Sequence, residues 1–159
     1  PGTTVTEIRA KARRMLHNKE HAIVILDFLQ LVNPPAGRRA ESRAVEVSEM
    51  SRALKIMAKE LKIPLIALSQ LSRQVESRTG KRPQLSDLRE SGSIEQDADI
   101  VMFLDRSSSE QEAARDDRPD EGITRIVLAK NRSGPIGDVD LVFLPSSTKF
   151  YELNEHMDD

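Results

Sequence analysis

The chain has 159 residues, 38% hydrophobic and 31% charged, with a net charge of −2 at pH 7 and no cysteine. That length builds one domain with a sizeable core, and near-neutrality excludes nucleic-acid binding by bulk charge alone. Disulfides are excluded, which fits a reducing compartment, and no apolar run approaches the roughly 18 residues that cross a bilayer.

Pro1 rather than Met opens the chain, with no signal peptide, as expected of a fragment or a processed product. Thr4-Val5-Thr6-Glu7 matches a capping box, and Val5, Ile8, Ala12, Met15 and Leu16 recur at helical spacing. A helix is expected over 5–17. The run Ala22-Ile23-Val24-Ile25-Leu26 reads as a fully buried parallel strand ending at Asp27. Turn chemistry makes a loop of Asn33 to Arg39, which opens a basic cluster of Arg38, Arg39 and Arg43. Val47, Met50, Leu54, Met57 and Leu61 give a second helix, over 44–62, an apolar stripe of core residues. Pro64 then starts another buried strand, Leu65-Ile66-Ala67-Leu68, ending at Ser69-Gln70. Strand, helix, strand is the signature of a right-handed βαβ unit with parallel strands, so Asp27 and Gln70 emerge at one edge of the sheet.

Residues 72–98 are polar, with a second basic cluster of Arg73, Arg78, Lys81 and Arg82 and short helical turns on either side of Gly92. A third strand is expected over 99–104. Residues 105–122, rich in Ser, Asp and Glu, read as a mobile surface loop. Strands over 123–130 and 138–144 flank the turn Asn131 to Gly137, and a short strand covers 149–153. Short connections between late strands imply an antiparallel end to the sheet. Phe28, Phe103, Phe143, Phe150 and Tyr151 all lie in apolar or strand-like runs and are expected in the core. Few rings are then left to stack on bases, so a bound single strand would be held mainly by its phosphates. No internal repeat or second domain is expected.

Chemistry concentrates at the strand ends. A carboxylate such as Asp27, after a parallel strand, sits where open α/β sheets bind ligands, and in phosphate-handling folds it holds Mg²⁺. Read alone it is also a turn cap. The Gln70 amide can hydrogen-bond a γ-phosphate or its attacking water, or simply end a strand. Lys130 and Arg132, two apart at a strand end, point the same way if the strand continues. Two cations on one edge suit a polyphosphate; gatekeeper charges on a β-edge are the alternative. Arg89-Glu90-Ser91-Gly92-Ser93 lets backbone N–H groups approach a phosphate, aided by a helix starting near Ser93, or is a plain loop. His17, His21 and His156 lack metal-ligand spacing, and no Ser lies in a nucleophile elbow. No G-x-x-x-x-G-K-[ST] phosphate loop occurs in the sequence.

At these residues the chain resembles the C-terminal motor domain of bacterial replicative DNA helicases, the DnaB family. The matching strings are Ile25-Leu26-Asp27-Phe28-Leu29-Gln30-Leu31, Ala67-Leu68-Ser69-Gln70-Leu71-Ser72-Arg73, Leu88-Arg89-Glu90-Ser91-Gly92-Ser93-Ile94-Glu95-Gln96-Asp97-Ala98-Asp99 and Ala129-Lys130-Asn131-Arg132-Ser133-Gly134-Pro135-Ile136-Gly137. They follow the family's order across residues 20–153, and the third and fourth are specific to it.

The resemblance implies an α/β fold with a RecA-like P-loop NTPase core. Its sheet would be mostly parallel and flanked by helices, with antiparallel strands at the C-terminal end and a truncation at the N-terminus. It implies a homohexameric ring around single-stranded DNA with ATP and Mg²⁺ between subunits. Asp27 matches the Walker B Asp that holds Mg²⁺, and Gln70 the polar sensor. Lys130 and Arg132 match the cations inserted into the neighbouring subunit's site, Arg132 as the arginine finger. Arg89, Glu90 and Gly92 match the central-channel loop that grips DNA, and Arg38, Arg39 and Arg43 a second channel-facing loop. Phe28, not Glu, follows Asp27. The family's phosphate loop, water-activating Glu and primase-meeting domain would all lie upstream of residue 1.

The chain alone is therefore expected to lack ATPase activity and to expose apolar edges. Implied partners are single-stranded DNA, primase and a helicase loader, with no membrane, in the replisome of the bacterial cytoplasm and nucleoid. A RadA-like repair ATPase is less similar, because Ser133 and Pro135-Ile136-Gly137 follow the helicase pattern. A non-catalytic DNA-binding or assembly module is the other alternative.

Overall fold

The computed structural model describes residues 2–17, 19, 21–34, 41–72, 82–88, 92–106 and 122–153. They belong to two compact units, one comprising residues 1–72 and 86–98, the other 73–85 and 99–159.

In the first unit Thr4 caps helix α1 (Val5–Met15). The Thr4 hydroxyl accepts from the Glu7 N–H at 3.3 Å, and the Glu7 carboxylate accepts from the Thr4 N–H at 2.8 Å. This is the reciprocal capping box that the sequence predicts, and it holds the Glu7 carboxyl below its ordinary pKa. Strand β1 (Val24–Leu26) is followed by a 3-10 turn, Leu29–Leu31, and by helix α2 (Arg43–Leu61), which starts at the Ser42 cap. Lys62, with φ 54°, ends α2 in the left-handed region. Pro64 follows two residues on, and strand β2 (Leu65–Ala67) pairs parallel with β1, Val24 opposite Leu65 and Leu26 opposite Ala67. The expected βαβ unit is present. Helix α3 (Gly92–Asp97) packs on α2, where the buried Ser51 hydroxyl donates to the Asp97 carboxylate at 2.9 Å.

The core gathers Leu29, Val32, Val47, Met50, Leu54 and Met57, with Leu26, Leu65 and Ile94 packed around it. Met50 and Met57 are core residues, as their spacing requires. The two strands differ from expectation. Ile23, Ile25, Ile66 and Leu68 are exposed, Ile25 by 63%. Side chains alternate across a strand, and Leu26 and Leu65 take the core face; among the described residues nothing covers the other. A continuous apolar run is thus only half-buried here.

The second unit is an antiparallel sheet of β3 (Ile100–Asp105), β4 (Gly122–Asn131), β5 (Gly137–Leu144) and β6 (Lys149–Glu152), paired in chain order. Val101, Phe103, Thr124, Val127 and Val142 are buried, while Ile100, Met102 and Leu104 alternate outward along β3. Arg125 and Asp140, directly opposite in register, form a two-point ion pair of 2.7 and 3.0 Å. Phe150 is not in the core: it is 47% exposed on the terminal strand β6, its ring 4.9 Å from that of Phe143. A residue on the last strand has a neighbour on one side only. The segment expected as an acidic surface loop lies, over 107–121, outside the described residues. Among the described residues the antiparallel sheet is larger than the parallel pair.

Candidate functional site

The β1–β2 register sets Asp27 one residue beyond Leu26 and Gln70 three beyond Ala67, so both leave the sheet at the edge expected. Asp27 is exposed, in a bend joined to Phe28 by a cis peptide bond. A ligand for Mg²⁺ fits this place, since Mg²⁺ is usually held by one or two carboxylates and otherwise by waters and phosphate oxygens. Among the described residues no group of three or more His, Asp or Glu side chains forms an all-protein metal cage.

Pairing continues past the strands. The Leu68 N–H donates to the Leu26 carbonyl at 2.9 Å and the Leu29 N–H to the Leu68 carbonyl at 2.8 Å. The chain then turns, and the Gln30 side chain takes over: its Nε2 donates to Ser69 Oγ at 3.1 Å and to the Gln70 carbonyl at 3.4 Å, while its Oε1 lies 3.5 Å from the Gln70 nitrogen. Gln70 itself is exposed. Sequence reading missed Gln30, because its partners lie about 40 residues away and leave no local signal.

Arg43, at the first position of α2, spends one guanidinium nitrogen on Glu46 at 2.8 Å and another on the Gln30 carbonyl at 2.9 Å. A guanidinium has five N–H donors, so Arg43 retains some for phosphate. Gly92 is exposed at the start of α3, where a side chain would meet nothing within 4 Å. Arg38, Arg39, Arg89 and Glu90, expected in DNA contact, lie outside the described residues.

In the second unit Lys130 is the penultimate residue of β4, half-buried. The strand ends at Asn131, so Arg132 starts the turn instead of following Lys130 in strand alternation. The reason is Asn131. Its Oδ1 accepts from the Ser133 N–H at 3.3 Å, and its Nδ2 donates to the Pro135 carbonyl at 3.1 Å. An Asn that bonds the backbone two residues on makes an Asx turn, a signal the Asn-x-Ser-Gly string carries. Gly134 fits this close approach because a Cβ there would lie 2.7 Å from Asn131 Nδ2. Arg132 is fixed by its N–H to the Asp99 carbonyl at 2.9 Å and by its Nε, 3.0 Å from Asp99 Oδ1.

Comparison with known proteins follows the same lines. Residues 1–152 match the family model described as DnaB-like helicase C terminal domain. The replicative DNA helicase DnaB of Geobacillus stearothermophilus is 48% identical over 159 residues, which is all of this chain and 34% of that protein. The replicative DNA helicase DnaC of Bacillus subtilis (strain 168) is 48% identical with the same coverage. The chain thus spans about a third of the length of these relatives. Among solved structures, a DnaB-like replicative helicase described with its primase interactions superposes with TM-score 0.85 and 44% identity, over 96% of this chain and 36% of that one. A second solved structure, described as an ATPase domain, superposes with TM-score 0.83 and 44% identity, over 96% of this chain and 52% of that one. The sequence and the fold agree: the chain belongs to the DnaB-like helicase C-terminal domain family.

Proposed function

We propose that this chain is the part of a replicative DNA helicase motor that follows the phosphate loop, and that it couples ATP hydrolysis to movement along single-stranded DNA. The observation that carries this reading is the placing of Asp27 and Gln70 at adjacent ends of parallel strands, within a chain that is 48% identical to named replicative helicases throughout. Asp27 would hold Mg²⁺, which when bound neutralises phosphate oxygens. The exposed Gln70 amide hydrogen-bonds the γ-phosphate or its attacking water and reports its loss. Arg132, presented on a rigid turn, enters the neighbouring subunit's site of a homohexamer and stabilises transition-state charge, with Lys130 beside it. Arg38, Arg39, Arg43, Arg89, Glu90 and Gly92 serve the DNA strand in the ring's channel. Primase and a helicase loader are the protein partners, and the replisome in the bacterial cytoplasm is the setting. No helix among the described residues is long and apolar enough to cross a membrane.

Without a phosphate loop in its sequence, the chain by itself is expected to hydrolyse no ATP. The test uses the full-length protein that carries this chain, with Mg²⁺-ATP and a forked DNA substrate. DNA-stimulated hydrolysis and strand separation are expected, with Asp27→Asn losing hydrolysis while still assembling. A full-length protein that neither hydrolyses ATP nor separates strands overturns the reading.

A further inference from the structure

We infer that Gln30 is a positioning residue for the nucleotide sensor, a side-chain clamp that replaces the last rung of the β1–β2 ladder. On the reading of Gln70 as the sensor, its backbone must be fixed while its side chain stays free to meet a phosphate. The structure has that arrangement. Main-chain pairing stops at Leu29, where the chain enters a 3-10 turn, and one residue later the Gln30 amide faces both the N–H and the carbonyl of Gln70. A backbone donor and a backbone acceptor together fix which end of the amide faces which, so the Gln30 amide has one orientation that satisfies both. The shortest contact, 3.1 Å, is to Ser69 Oγ, next to the sensor. The other two are long, 3.4 and 3.5 Å, so each is weak and the clamp depends on all three acting together.

The Gln30 main chain is anchored in turn, its carbonyl accepting from Arg43 at 2.9 Å. Gln30 therefore lies between the start of α2 and the end of β2, and its hydrogen bonds go to Ser69, Gln70 and Arg43, not to Asp27. Its effect on the reaction is through the placing of Gln70, where misplacement by about an ångström is enough to lose about a hundredfold in rate.

The test replaces Gln30 in the full-length helicase carrying this chain. Gln30→Leu removes donor and acceptor; kcat for DNA-stimulated ATP hydrolysis is expected to fall about tenfold, with KM for ATP within about twofold and hexamer assembly retained. Gln30→Glu keeps the acceptor towards the Gln70 N–H and should retain more of kcat than Leu. Hydrogen exchange at the Gln70 amide reads the clamp without any activity, and Gln30→Leu should speed it about tenfold. A kcat within about twofold of wild type, or unchanged Gln70 exchange, overturns the inference. So does a kcat loss matched by an equal loss of ATP binding, which marks a scaffold residue. Should Gln30→Leu fail to assemble, Ser69→Ala decides, since it removes only the shortest contact: a kcat lower by about two- to fivefold, one hydrogen bond's worth, supports the clamp and an unchanged one overturns it. A wild-type protein without ATP hydrolysis would sink the helicase reading instead, and the exchange measurement would still judge the clamp.

Discussion

Arg132 and Asp99 are joined twice, by backbone at 2.9 Å and by an ion pair at 3.0 Å. Both side chains are more than half exposed, so the pair adds little to stability and acts mainly on direction. Arg132→Ala in the full-length protein that carries this chain is therefore expected to leave the melting temperature nearly unchanged. It should lower DNA-stimulated ATP hydrolysis by about 10³- to 10⁵-fold, the range for lost arginine fingers. Steady-state hydrolysis beside a thermal melt checks both halves, and a near-normal rate sinks the finger assignment.

The turn that carries Arg132 offers a subtler variant. Gly134→Ala drives a methyl group against Asn131 Nδ2 and opens the Asx turn. Hydrolysis is expected to drop about ten- to a hundredfold through misplacement of Arg132, with binding of a fluorescent ATP analogue retained. Ile136→Ala, at an exposed position of the same turn, should behave as wild type.

Core and surface can be separated along α2. Met57 is fully buried, and its neighbour Ile56 is largely exposed. Met57→Ala should lower unfolding free energy by about 2–5 kcal/mol through lost burial and a residual cavity. Ile56→Ala should stay within about 0.5 kcal/mol. Urea unfolding of both variants measures the difference, and equal effects would contradict the packing.

A pH dependence follows from the Arg125–Asp140 pair. The hydrogen bonds from the Arg125 guanidinium hold the Asp140 carboxyl below its ordinary pKa, and the carboxylate raises that of Arg125. Asp140 thus binds fewer protons folded than unfolded near its titration, so its contribution is present above the ordinary carboxylate value of about 4. It is lost as pH falls through the depressed folded value. Asp140→Asn should make the melting temperature less sensitive to acid over that window, with little change at neutral pH because the pair is part-exposed. Parallel melts from neutral pH down to about pH 3 check this.

Local periodicity made much of the fold legible. The α2 stripe, the Thr4 capping box and the βαβ order all rest on residues a few positions apart, and the structure reproduces them within a residue or two. Exposure of Ile25 and Ile66 was not legible, because an apolar run does not say whether both faces find cover. Nor was the Gln30 clamp, which pairs residues 39 and 40 apart in sequence. The direction of Arg132 was open for a local reason: whether the strand continues past Asn131 depends on the Asn131 side chain, which bonds the turn beyond it.

Arg43 has a mechanical consequence. Helix α2 has 19 residues and so a length of about 28 Å. One end is tied through Arg43 to the Gln30 carbonyl, and the other runs through Lys62, Ile63 and Pro64 into β2, the strand that delivers Gln70. Helix α2 is thus joined at its start to the residues just after β1 and at its end to the start of β2. Gln70 is therefore connected to α2 by two routes, the hydrogen bonds of Arg43 and Gln30 and the main chain of β2.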